Sequence, residues 1–91
     1  MEIVFTFHST HDAINGERLL LSGGVKVKVM ALPSSLGAGC GLCLRVAKDE
    51  LDRSRGLLSE VDIHPQAVYA KNLENGKAVY TALEISDLPS K

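Results

Sequence analysis

Two cysteines, three histidines and a hydroxyl pair are the residues whose types and spacing could do chemistry. Cys40 lies between Gly39 and Gly41, at the end of a small-residue stretch running from Ser34 to Gly39. Glycine and serine around a thiol leave a partner room to approach and leave backbone N–H groups free. A thiolate in such a loop is a candidate nucleophile. The plainer alternative is a small residue packed at the start of a strand. Ser9-Thr10-His11 forms a second polar cluster, where hydroxyls can cap a helix start and an imidazole can carry charge near neutrality.

Cys40-Gly41-Leu42-Cys43 is formally a C-x-x-C motif. The motif is strong when it opens a helix, because both sulfurs then face together. Here it enters a strand, and residues three apart on a strand point to opposite faces. Both thiols converge only if the strand begins after Cys40 or carries a bulge. Cys43 is therefore a packed residue or a thiol on the open sheet face, with a resolving role for Cys40 as the alternative. Two cysteines with His8 and His11 could supply four metal ligands on paper, but their spacing matches no standard zinc pattern. No metal and no cofactor are expected. The Gly37, Gly39, Gly41 run lacks the Lys-Ser/Thr of a phosphate loop. Gly39-Cys40-Gly41 is followed by a strand and so is not a nucleophile elbow. His64 precedes Pro65 in a turn and is expected in solvent.

The elements that must position these residues follow from periodicity. Ile3, Phe5 and Phe7 alternate with Val4, Thr6 and His8, which argues a strand. Ser9-Thr10 caps a helix whose face gathers Ala13, Gly16, Leu20, Ile14 and Leu21, and Ser22-Gly23-Gly24 ends it. Val25, Val27 and Val29 alternate with Lys26, Lys28 and Met30 as a second strand, closed by Pro33. Gly41 to Ala47 is a third strand, with Leu42, Leu44 and Val46 on one face and Cys43 and Arg45 on the other. Lys48 to Val61 is an amphipathic helix with Leu51, Ser54, Leu58 and Val61 in register. Its early Asp49, Glu50 and Asp52 suit the helix dipole. Gln66 to Lys71 is a fourth strand. Asn75-Gly76 is a hairpin turn that sets Glu74 opposite Lys77. Ala78 to Ile85 is then a fifth strand, with a helix as the alternative.

The order is β-α-β-β-α-β with an added C-terminal hairpin strand, an α+β ferredoxin-like sandwich. It implies one domain over residues 1–86, with a core at 2–72, a C-terminal arm at 73–86 and a tail at 87–91. Both helices cover one sheet face. The other face carries Thr6, His8, Lys26, Lys28, Cys43 and Arg45. In this topology the third strand runs antiparallel beside the first. Cys40 should then lie near His8 to His11 and near the N-terminus of the first helix, which favours an anion.

Composition narrows the classes. A chain of 91 residues with 45% hydrophobic residues can build one core. A formal net charge of −1 and the absence of Trp remove the electrostatic and stacking case for nucleic acid. No apolar run approaches the ~20 residues of a membrane span. Met1-Glu2-Ile3-Val4 shows no basic stretch ahead of a long apolar run, so no secretory signal is expected. Two cysteines are too few for a disulfide scaffold. A soluble cytoplasmic domain with reduced thiols is the expectation.

Two stretches carry a resemblance. FTFHSTHDAINGE (residues 5–17) and PSSLGAGCGLCLRV (residues 33–46) resemble the selenium/sulfur (Se/S) carrier protein-like family. Its members have an aromatic-rich first strand, a Ser-Thr-His element, and a Ser/Gly loop running into Cys-Gly and a strand ending in Arg. Ser9-Thr10-His11, Cys40-Gly41 and Arg45 match that pattern, and the similarity covers residues 3 to 70. Residues 73–91 look like an extension beyond it. The resemblance implies a carrier or accessory protein rather than an enzyme. It would hold sulfur or selenium on Cys40, with Ser9, Thr10, His11, Gly39, Gly41 and Arg45 forming the surroundings. Its partners would be a protein donor such as a cysteine desulfurase and an acceptor of the chalcogen. Two other functions stay open on the residues themselves. One is a ligand-binding or dimeric assembly module, with the C-terminal arm pairing across a homodimer. The other is a small redox protein using both cysteines.

Overall fold

The computed structural model describes residues 1–36 and 41–83. It contains strand β1 (Glu2–Thr6), helix α1 (Thr10–Ser22), β2 (Val27–Ala31), β3 (Leu42–Ala47), helix α2 (Leu51–Glu60), β4 (Ala67–Glu74) and β5 (Lys77–Ala82). Short 3-10 turns at Ser34–Leu36 and Lys48–Glu50 follow β2 and β3. The sheet order is β2-β3-β1-β4-β5, with every neighbouring pair antiparallel. This is the ferredoxin-like arrangement, extended by one strand at the β4 edge.

Period-two patterning explains which face each strand buries. Ile3 and Phe5 of β1, with Phe7 just beyond it, point into one core with Leu44 and Val46 of β3 and Val68 and Ala70 of β4. Ala13 and Leu20 of α1 and Leu58 of α2 close that core, so both helices lie on the same sheet face. Each fully enclosed Leu or Phe contributes about 1.5–3 kcal/mol over its exposed state. Gly16 lets α1 approach closely. A Cβ there would stand 3.3 Å from both Leu44 Cδ1 and Leu58 Cδ2, and 3.5 Å from Phe7 Cζ. The absent side chain thus sets how near α1 comes to the sheet and to α2.

Helix α1 begins at Ser9, whose hydroxyl accepts a hydrogen bond from the Asp12 amide at 3.1 Å. It ends at Gly23, whose amide reaches back to carbonyls of the last turn. Arg53 of α2 donates to the Gly23 carbonyl and ties the end of α1 to α2. The β4–β5 hairpin turns on Asn75 and Gly76, with φ of 53° and 79°. Positive φ at both central residues is what a two-residue hairpin with native twist requires. Glu74 faces Lys77, as the charge pattern implies.

Several boundaries and faces differ from the sequence expectation. The helix expected over 48–61 is a 3-10 turn followed by α2, and Val61 lies past its end, half exposed. Ile14 and Leu21 do not join the buried stripe of Ala13, Gly16 and Leu20. Each is one residue, or about 100° of helical rotation, past a buried position. Val25 is buried ahead of β2, whereas Val29 is exposed because β2 is an edge strand. The third strand starts at Leu42 rather than Gly41, and the fourth runs on to Glu74. The fifth is a strand, not a helix, and spans Lys77–Ala82 rather than 78–85. The arm beyond Leu83, like the tail, lies outside the described residues.

The helix-free face is also drier than expected at its centre. Val4, Thr6 and Cys43 are buried there. Val4 is flanked in register by Arg45 and Tyr69, and Cys43 by Met30, all half-buried side chains of adjacent strands. Central strands gain this lateral cover, and the pattern along one strand cannot reveal it.

Candidate functional site at the β1–β3 sheet end

Register decides what meets at this end of the sheet. Thr6, the last residue of β1, is level with Cys43 of β3 on one side and with Ala67 of β4 on the other. The Thr6 hydroxyl donates to the Ala67 carbonyl at 3.4 Å, and the Gln66 amide donates to the Thr6 carbonyl at 2.7 Å. The end of β1, the first turn of α1, the start of β3 and the start of β4 therefore share one edge. His8, His11 and His64 all belong to segments at that edge, and His8, His11 and His64 are exposed.

Cys40 and Gly39 lie outside the described residues. Their neighbours fix where the chain enters β3. Gly41 takes φ of +88°, a backbone conformation that side chains disfavour, so a glycine is required where the loop turns into the strand. The Gly41 carbonyl accepts from the Leu32 amide at 2.9 Å and closes the base of the β2–β3 connection. Cys40 directly precedes this clamped residue in the chain.

Cys43 is fully buried on the helix-free face, its Sγ 3.8 Å from the Ala31 carbonyl. A reagent or partner thiol reaches it only if the strands separate. Arg45, two residues further along the same face, pairs with Glu2 at 3.5 Å, and Glu2 also approaches Lys71 at 3.8 Å. This charge group belongs to the opposite end of β1. Arg45 is thus not brought to the edge that holds Ser9 and His11.

Ser9 is half-buried and engaged as the helix cap, and Thr10 is exposed. His11 stands on the outer side of the first turn, where Asn15 Nδ2 donates to its Nε2 at 2.9 Å. His11 and Asn15 line a shallow groove of about 600 Å³ between α1 and the turn after α2, where Arg18 and Asp62 also stand. Among the described residues, no group of three His, Cys, Asp or Glu is arranged to hold a metal ion.

Sequence reasoning missed a second concavity at this end, about 320 Å³, between α2 and the start of β4. Arg55, Ser59 and Gln66 line it. No motif marks them. The helical spacing of Arg55 and Ser59 was the available signal.

The fold is that of a small ferredoxin-like protein, and in the sequence Cys40 stands between Gly39 and Gly41 just ahead of its third strand. The chain belongs to the family described as "Putative Se/S carrier protein-like", whose model matches residues 2–70. It is also similar to "Uncharacterized protein YtiA" of Escherichia coli (strain K12), with 40% identity over 43 residues. That match covers 47% of this chain and 51% of the relative, so it spans about half of each. No solved structure matches the chain. No helix among the described residues is long and apolar enough to cross a membrane.

Proposed function

We propose that this protein is a cytoplasmic sulfur or selenium carrier, not an enzyme, that holds the chalcogen on Cys40 and delivers it to a partner protein. The observation that carries the reading is the register of β1 against β3. It puts the start of β3 level with the end of β1, which passes through Ser9 into the N-terminus of α1, and Cys40 comes shortly before β3 in the sequence. A helix N-terminus favours an anion, and a thiolate is one. Family membership supports the same reading.

The transfer step balances without an oxidant. The Cys40 thiolate attacks the outer sulfur of a donor persulfide. A bond forms between Cys40 Sγ and that sulfur, the donor's S–S bond breaks, and its electron pair leaves on the donor thiolate. Delivery repeats the exchange toward an acceptor thiolate. Ser9 and Thr10 shape the helix start, Gly39 and Gly41 keep the approach open, and His11 adds a polar flank. Arg45 is assigned to guiding an anionic partner across the helix-free face. Cys43, enclosed in the sheet, is a poor resolving thiol, which weighs against a C-x-x-C redox cycle.

The test is alkylation of each cysteine against pH, resolved by mass spectrometry of peptides. Cys40 should titrate with a midpoint below the unperturbed thiol value of about 8.5. The variant His11→Ala separates the ring's contribution from that of the helix end. A Cys40 midpoint at or above the unperturbed value would remove the physical basis of the reading.

A further inference from the structure

Strand β2 has a neighbour on one side only among the described residues, and its register against β3 shows which backbone groups that leaves over. The Leu32 amide donates to the Gly41 carbonyl at 2.9 Å, so Leu32 and Gly41 form a hydrogen-bonded pair. Bonded and non-bonded pairs alternate along an antiparallel ladder. Met30 and Lys28 therefore bond to β3, whereas the amides and carbonyls of Val27, Val29 and Ala31 point away from it, along the open edge. Val29 and Ala31 are exposed there. The same edge is cationic. Lys26 and Lys28 are exposed and form no ion pair among the described residues. Lys28 is level with Arg45 of β3. A groove of about 460 Å³ runs beside these three cations, with Val27 and Val46 in its apolar lining. Glu2 also lines it, but that carboxylate is engaged by Arg45 at 3.5 Å and by Lys71 at 3.8 Å.

We infer that the β2 edge binds an extended acidic peptide segment of another protein, which adds an outer strand to the sheet and sets carboxylates against Lys26 and Lys28. Main-chain bonds to Val27, Val29 and Ala31 supply affinity, and side chains at alternate positions supply choice. On the helix-free face the added strand meets Lys26, Lys28 and Met30, and on the other face it meets Val27 and Val29. The matching sequence alternates acidic with β-branched residues. A second copy of this chain fits the same edge poorly. Antiparallel self-pairing centred on Val29 brings the two Lys28 side chains diagonally together on one face, each with Arg45 beside it. Centring on Lys28 sets lysine directly against lysine. Like charges so placed oppose pairing, whereas an acidic strand meets the reverse condition. Strand β2 contains no cysteine, so a failure here leaves the carrier reading standing.

The probe is an acetylated, amidated heptapeptide of alternating glutamate and valine, titrated into the full-length protein at low salt and followed by NMR. Amide hydrogen exchange at Val27, Val29 and Ala31 should slow on saturation, because these donors gain acceptors, while Lys28 and Met30 are protected with or without peptide. A lysine–valine counterpart should not bind. A glutamine–valine counterpart should bind about threefold to tenfold more weakly, the range for two exposed ion pairs. The double variant Lys26→Gln/Lys28→Gln should lose the same factor toward the acidic peptide. Val29→Pro removes an outward donor without breaking the ladder to β3 and should weaken the acidic peptide by roughly tenfold. No shift with millimolar acidic peptide, equal binding of the acidic and lysine peptides, or slowed exchange at β5 instead would overturn the inference. So would undiminished affinity in the double lysine variant or in a folded Val29→Pro protein. Concentration-dependent protection of Val27, Val29 and Ala31 without peptide would overturn it too, by assigning the edge to a second copy.

Discussion

Replacing Cys40 with serine leaves Cys43 as the lone thiol, and its reactivity then reports how firmly the centre of the sheet is closed. Cys43 has no exposed surface and sits in β3 between β1 and β2, level with Thr6 and Met30. A reagent must wait for both pairings to open, which is close to unfolding the sheet. Taking ~5 kcal/mol as the low end of domain stability, and tenfold per ~1.4 kcal/mol, the native protein should protect Cys43 by roughly 4,000-fold. The assay compares the rate of carbamidomethylation by iodoacetamide in buffer with the rate in concentrated guanidinium, by intact mass. Subdenaturing guanidinium should accelerate the native reaction steadily as opening becomes easier. Protection below about tenfold would refute the register and burial argument, and would reopen pairing between the two cysteines.

Three further outcomes test the packing that holds the edge in place. Ser9→Ala removes the cap bond to the Asp12 amide and should cost about 1 kcal/mol, read by urea unfolding. Gly16→Val forces atoms into the 3.3 Å approach of Leu44 and Leu58 and should cost about 1–3 kcal/mol, or roughly 4–8 °C in Tm per kcal/mol. Ser54 Oγ is fully buried in α2 with no hydrogen-bond partner among the described residues. Ser54→Ala should therefore stabilise the protein, by about 0.5–1.5 kcal/mol in the same unfolding assay.

Much of the fold was legible because local chemistry and long-range pairing agree. The alternation through Ile3, Phe5 and Phe7, the Ser9 cap and the Asn75-Gly76 turn each specify an element by their own physics, and the element order implies the sheet. The helix-free face was less legible. Thr6 and Cys43 read as wet positions by alternation, yet both are buried, because the flanking strands cover them. Val29 reads as core by the same rule and is exposed, because an edge strand has cover on one side only. Arg45 matches a family pattern by position in sequence, but β3 carries it away from the Ser9 edge into a pair with Glu2. The cavity beside Arg55 left only the helical spacing of Arg55 and Ser59 in the sequence, since its polar and apolar walls come together only when α2 docks beside β4.

The central claim, a chalcogen held on Cys40, is tested most directly by mass spectrometry of the protein after incubation with a cysteine desulfurase and cysteine. The account predicts a gain of one sulfur atom, located on Cys40 by peptide mapping, reversed by dithiothreitol and absent from Cys40→Ser. A gain located on Cys43, an equal gain in Cys40→Ser, or no gain while the desulfurase turns over would contradict it.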